Sequence, residues 1–149
     1  MRNGYLMKKA VLLAKDIMHR SVVSVPENTD VWELARIFST QSISGAPVVD
    51  GTGCLLGVVS QTDIILYLKK VAEGYDGSDF YTDADEEAPQ IGTATARDIM
   101  SHQPITASEL TPVHELSRLM LTKHIHRIII TEKNKIQGIV TTTDLLKVL

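Results

Sequence analysis

One cysteine, Cys54, stands in 149 residues. A lone thiol excludes a disulfide framework within the monomer and any cysteine-rich zinc site, so a reducing, cytoplasmic setting is expected. Aromatic residues make up only 5% of the chain, with Trp32 the single tryptophan. That is too few for the stacking platforms on which single-stranded nucleic acid is held. Long apolar runs are missing as well. Ala10-Val11-Leu12-Leu13-Ala14 falls far short of the ~20 residues a membrane span needs, and it lacks a small-residue cleavage site, so neither span nor signal is expected. Nor is there a strong excess of basic charge. The net charge is −3, and seven acids (Glu73, Asp76, Asp79, Asp83, Asp85, Glu86, Glu87) fall between Val71 and Ala96 without a Lys or Arg among them. The remainder is mildly basic, which does not repel a phosphate but is far from the basic face of a nucleic-acid binder. No Ser/His/Asp order, no paired buried carboxylates and no glycine-rich phosphate loop with its lysine can be found, so no catalytic activity is expected.

What the chain does have is duplication. Gly57-Val58-Val59-Ser60-Gln61-Thr62-Asp63 returns as Gly138-Ile139-Val140-Thr141-Thr142-Thr143-Asp144. Each copy reads as a strand ending in a hydroxyl, followed at once by a carboxylate that opens an apolar helix. Such a corner gathers unpaired backbone N–H groups, the positive end of a helix dipole and short polar side chains, which suit a phosphorylated ligand. A carboxylate there has two oxygens with which to accept from a ribose diol. The same carboxylates also fit plain helix-opening residues, and Ser60, Thr62, Thr141 and Thr143 fit caps or strand formers.

The duplication extends along the chain. Asp16-Ile17-Met18 returns as Asp98-Ile99-Met100, and at that displacement Glu27, Thr29, Val31, Glu33, Leu34, Arg36, Thr40 and Ile43 meet identical residues from Glu109 to Ile125. Beyond the hairpin turn the displacement falls by one, because Glu132-Lys133-Asn134-Lys135 is a residue shorter than its counterpart, and an indel confined to a loop marks a structural duplication. In the first copy the periodicity predicts a strand over 21–25, stopped by Pro26, and a helix capped by Asn28 or Thr29 with the stripe Val31, Leu34, Ala35, Phe38. Two strands follow, joined at Asp50-Gly51-Thr52-Gly53, and then a helix from Asp63 to about Val71. In the second copy Thr111 is expected to cap its helix, with Pro112 in the first turn. The expected domains are a leader helix over 1–13, repeat 1 over 14–72, an acidic linker over 73–93 and repeat 2 over 94–149. Neither half can bury its sheet alone, so an α/β module is expected in which two β-α-β-β-α repeats pack sheet to sheet about a pseudo-twofold axis.

With this element order given twice, the two copies of G-h-x-[S/T]-x-x-D and the segments 43–50 and 125–130, the chain resembles a tandem pair of cystathionine-β-synthase (CBS) domains. The resemblance covers nearly everything from about Ala14 to Leu149. It implies an adenine-nucleotide ligand, AMP, ADP or ATP, held between the repeats, with the ribose on the motif aspartate and the phosphate on hydroxyls and basic residues. One site is then expected to combine Ser60, Thr62 and Asp63 with Ile105, Thr106, His126 and Arg127. The other combines Thr141, Thr143 and Asp144 with Val23, Ser24, Ser44 and Ala46. Gly45 stands where the second repeat has Arg127, so a charged nucleotide is expected to prefer the Asp63 site.

The resemblance also implies a homodimer, expected through the helices around Trp32 to Phe38 and Val113 to Met120, and leaves room for a regulated protein partner. Different readings are a constitutive scaffold with empty sites and a binder of S-adenosylmethionine or NAD. His124 and His126 lie two apart on an expected strand, on one side of it, yet no third ligand is evident and no metal is expected. Cys54 has no companion base and reads as an inert thiol. Trp32 and Tyr67 read as packing or contact residues.

Overall fold

The computed structural model describes residues 11–74 and 94–148. The expected leader helix therefore lies almost wholly outside the described residues, as does all but the start of the acidic linker. Val11 and Leu12 carry no helix, and Leu13 forms a bridge to Pro112.

In chain order the elements are α1 (Ala14–Ile17), β1 (Val25–Pro26), α2 (Val31–Gln41), β2 (Gly45–Val49), β3 (Leu55–Ser60), α3 (Gln61–Gly74), α4 (Ala96–Ile99), β4 (Ser101–His102), β5 (Thr106–Ala107), α5 (Val113–Lys123), β6 (Arg127–Glu132), β7 (Lys135–Thr141) and α6 (Thr142–Leu146). They form two sheets, one in the order β1-β2-β3-β4 and one in the order β5-β6-β7. β1 runs parallel to β2 and β5 parallel to β6, whereas β2–β3, β3–β4 and β6–β7 are antiparallel. Each repeat thus reads strand, helix, strand, strand, helix, and the fold is the α/β tandem pair that the sequence predicts.

Local chemistry explains most boundaries. Val31, Leu34 and Phe38 are buried along one face of α2, as their spacing requires. The cap of α2 is Asp30, which accepts from the Glu33 N–H at 2.8 Å; Asn28 and Thr29 do not cap it. In the second repeat Pro112 takes the N-cap position without a side-chain bond, and Thr111 instead accepts from the Ser108 N–H at 3.0 Å. The two equivalent helices α2 and α5 end in a left-handed residue, Ser42 and His124, each with φ of 54°. The expected strand over 21–25 shrinks to Val25–Pro26, and Pro26 is tolerated because β1 is an edge strand. The β2–β3 turn is organised by the Asp50 carboxylate, which accepts from the N–H groups of Thr52 and Cys54 at 2.8 and 3.0 Å. The shorter β6–β7 turn places Lys133 and Asn134 at positive φ, 49° and 63°, the conformation of a two-residue hairpin whose twist matches its strands.

The chain divides into two compact units, one of Val23–Gln103 and the other of Pro104–Leu149 with the residues up to Val22. The short opening helices are therefore exchanged between the sequence repeats. Ala14, in the first repeat, is buried in a cluster with Leu116, Met120, Ile128, Ile130 and Val140 of the second. Its N–H donates to the Thr111 carbonyl at 2.8 Å. Ala96, in the second repeat, is buried with Val25, Leu34, Phe38, Val48, Val59 and Ile64 of the first, and its N–H donates to the Thr29 carbonyl at 2.8 Å. Sequence repeats and compact units accordingly do not share boundaries.

Candidate functional site

Each unit turns from strand to helix at its copy of the repeated motif. In the first, β3 ends at Ser60 and α3 starts at Gln61. Asp63 Oδ2 accepts from the Ser60 N–H at 2.8 Å and from the Ser60 hydroxyl at 3.0 Å, while the Asp63 N–H donates to Ser60 Oγ at 3.2 Å. This reciprocal pair satisfies donors that a helix start leaves without intrahelical partners. In the second unit Asp144 Oδ2 accepts from the Thr141 N–H and hydroxyl at 2.8 and 3.1 Å, and the Asp144 N–H donates to Thr141 Oγ1 at 3.3 Å. Both motif carboxylates are therefore helix caps through one oxygen. What distinguishes them is the other oxygen.

Asp144 is 4% exposed, the one buried polar side chain among the described residues. Its Oδ1 meets Nε2 of His19 at 2.6 Å. Burial pushes the Asp144 carboxyl up, but the Thr141 N–H, the His19 ring and the Thr141 hydroxyl outweigh it, and the group titrates below its ordinary value of 3.8. A carboxyl depressed on folding stabilises the native state above its unfolded pKa, and that contribution is lost as pH falls through the folded value. Denaturant unfolding followed below about pH 4 is expected to show an acid-side loss of stability that is reduced in Asp144→Asn. Superimposable pH profiles would contradict the assignment.

Asp63 is only partly buried, and Oδ1 has no hydrogen-bond partner among the described residues. It lines a cavity of about 320 Å³ together with Leu66, Tyr67, Lys70, Ala94, Asp98 and Ile99, all of its own unit. That volume lies at the lower end of what small-molecule sites occupy, roughly 300–1,000 Å³. Tyr67 also packs on the first core.

The motif glycines have a packing reason. A Cβ on Gly57 would lie 2.5 Å from the Ser101 carbonyl oxygen and 2.8 Å from Met100 Sδ; one on Gly138 would lie 2.7 Å from Met18 Sδ and 2.8 Å from the His19 carbonyl oxygen. The exchanged segments therefore press against the motif strands, as β4 on β3 in one unit and as the His19–Ile139 bridge in the other.

The expected site residues divide by unit. Val23, Ser24, Ser44, Ala46, Ser60, Thr62 and Asp63 all fall in Val23–Gln103. There Gly45 pairs with Ser60, and the Gln61 N–H donates to the Ser44 carbonyl at 2.9 Å, which puts the start of β2 beside the Asp63 corner. Val23 and Ser24 are exposed just ahead of β1, Thr62 is exposed, and Ala46 is buried in the core. Ile105, Thr106, His126, Arg127, Thr141, Thr143 and Asp144 fall in the other unit. There Arg127 pairs with Thr141, and the Thr142 N–H donates to the His126 carbonyl at 3.0 Å, so the start of β6 lies beside the Asp144 corner. Thr106, on β5 next to β6, is exposed, as are His126, Arg127 and Thr143. Each unit thus holds the motif residues of one expected site and the strand residues expected for the other.

One reading changes. His124 closes α5 in the left-handed conformation and His126 precedes β6, so the two do not share one face of a strand. Among the described residues no three His, Cys, Asp or Glu side chains come together as a metal would require. The residue that sequence reasoning missed is His19. It lies 125 positions from Asp144, and its one sign is that the repeat breaks directly after Met18, where Ser101 is the counterpart of His19.

Comparison with known proteins agrees with this architecture. The model of the CBS domain family matches residues 14–70 and 96–149, and the chain belongs to that family. An uncharacterised protein of Methanocaldococcus jannaschii, MJ1426, is 27% identical over 158 residues, covering 93% of this chain and 92% of its own. The CBS domain pair of MJ0100, solved with 5′-methylthioadenosine and S-adenosyl-L-methionine, superposes with a TM-score of 0.70 at 25% identity, covering 93% of this chain and 95% of that one. CBSX2, solved with AMP, superposes with the same TM-score at 20% identity over 91% of this chain and 93% of its own. Several longer relatives match 90–93% of this chain, while the chain spans only 24, 42 and 38% of their length. No helix among the described residues is long and apolar enough to cross a membrane.

Proposed function

We propose that this protein is a non-catalytic regulatory module that binds an adenine nucleotide, AMP, ADP or ATP, and signals by a change in conformation. The observation that carries the reading is the Asp63 corner, where a half-buried carboxylate keeps one oxygen clear of its capping role beside a cavity of about 320 Å³. The two adenosyl compounds bound by the MJ0100 pair share with these nucleotides the adenosine moiety, and hence the ribose diol that a carboxylate can accept from. Ser60, Thr62 and Asp63 are the proposed ligand residues of the principal site. Regulation requires that the ligand favour one conformation over another, since only differential affinity shifts an equilibrium.

Melting with and without a panel of ligands tests the reading. A ligand at about 100 times its dissociation constant adds roughly 2.7 kcal/mol and raises the midpoint of a chain this size by roughly 5–11 °C. Absence of any shift with AMP, ADP, ATP, S-adenosylmethionine and NAD would leave the scaffold reading instead. A homodimer is part of the proposal, supported by Leu121 and Leu146, which are 78% and 65% exposed beside an apolar cavity of about 330 Å³ with Val113, Met120 and Leu145. Sedimentation at the monomer mass of 16.4 kDa would remove that part.

A further inference from the structure

We propose that His19 keeps the Asp144 corner closed to a ribose diol, so that the chain takes up one adenosine-type ligand, at Asp63, although its motif is written twice. This rests on the reading that the motif carboxylates hold the ribose.

The closure is geometric. Thr141 fills Oδ2 of Asp144 with two donors, and His19 Nε2 sits 2.6 Å from Oδ1, a short hydrogen bond to a carboxylate, and bonds to ionised acceptors are the stronger ones. Only 4% of the Asp144 side chain is exposed, against 57% for His19. The histidine is the face that this corner shows to an incoming molecule, with the carboxylate behind it. Nor is the ring's position that of a loose surface side chain. The His19 N–H donates to the Ile139 carbonyl and its carbonyl accepts from the Ile139 N–H, both at 2.9 Å, so its backbone is fixed to the motif strand. A diol must therefore displace a short hydrogen bond whose donor is anchored beside its acceptor.

The other unit supplies the comparison. Ser101 pairs with Val58 as His19 pairs with Ile139, and Met100 lies against Gly57 as Met18 lies against Gly138. The two segments meet their motif strands at equivalent positions. A serine side chain does not have the reach of an imidazole, and Ser101 makes no hydrogen bond to Asp63, whose partners among the described residues are the Ser60 groups alone. The residue at this paired position thus differs between the units, serine near the open carboxylate and histidine on the closed one.

Calorimetric titration of AMP into the full chain and two variants tests this. The unaltered chain is expected to take one AMP per chain. His19→Ala is expected to gain a second binding event, or at least a tenfold tightening of any weak one. Ser101→His, a change at an exposed position, is expected to weaken binding at the Asp63 corner about tenfold. Two equal sites in the unaltered chain, or a folded His19→Ala with neither a second binding event nor a tightened weak one, would overturn the inference while leaving the nucleotide reading intact. If His19→Ala does not fold, Ser101→His decides, and unimpaired AMP binding in it overturns the inference. A titration in which the unaltered chain binds no adenosine compound would remove the reading itself and this inference with it.

Discussion

Replacing Gly57 by alanine lowers the thermal midpoint by roughly 6–12 °C, the equivalent of about 3 kcal/mol at this chain length. The reason is the 2.5 Å that a new Cβ would leave to the Ser101 carbonyl oxygen. That oxygen belongs to β4, which is paired to β3 at Gly57–His102 and Val58–Ser101, so relief requires moving a hydrogen-bonded strand. Overpacking usually costs about 1–3 kcal/mol, and a rigid backbone obstacle sets the expectation at the upper end. Gly138→Ala is expected to follow closely, since the His19 carbonyl oxygen at 2.8 Å is likewise held by Ile139, although Met18 Sδ at 2.7 Å is flexible. Gly51 has nothing within 4 Å of its would-be Cβ, and Gly51→Ala is expected to stay within about 1 kcal/mol of the parent. Scanning calorimetry on the three variants checks the order. Equal midpoints for Gly57→Ala and Gly51→Ala would mean that the exchanged segment does not press on the motif strand.

The second large effect separates the two aspartates. Asp63→Asn keeps an oxygen for the Ser60 N–H, so the cap survives, but a neutral amide replaces the charged acceptor beside the cavity. A hydrogen bond to a charged group is worth roughly 1.5–3 kcal/mol, which corresponds to a loss of about one to two decades in nucleotide affinity. Asp144→Asn is expected to do the reverse. The buried carboxylate there holds three donors, two from Thr141 and one from His19, and its neutralisation is expected to cost roughly 1.5–3 kcal/mol of stability with nucleotide affinity nearly unchanged. Titration and melting of the two variants side by side would show the crossing pattern. Equal losses of affinity would refute the asymmetry between the corners.

Much of this architecture was legible before any coordinates, because duplication, periodicity and turn chemistry are local signals. The stripe of α2 and the Asp50–Gly53 turn stand where their spacing put them. The recurrence of Gly-h-x-[S/T]-x-x-D also located both corners. What stayed hidden was non-local. Asp16-Ile17-Met18 and Asp98-Ile99-Met100 are interchangeable as text, and the glycines that receive their methionines, Gly138 and Gly57, are counterparts in the two motif copies. Nothing in the chain order says which copy fills which core. The contact of His19 with Asp144 was out of reach for the same reason, being a side-chain meeting between distant positions created by that exchange. Smaller misses were matters of register. Thr29 was a plausible cap by residue type, but its carbonyl and N–H are engaged with Ala96 and Pro26, and Asp30 is the residue directly before the first helical position. His124 fell on an expected strand because nothing short of the backbone angles reveals a left-handed helix terminus at a histidine.

The account comes down to whether the Asp63 corner receives an adenosine compound, and isothermal titration of AMP into the intact chain addresses this most directly. A saturable heat with one AMP per chain, weakened about tenfold or more in Asp63→Asn, is the predicted result. No heat with AMP, ADP or ATP, or AMP binding that Asp63→Asn leaves untouched, would contradict it.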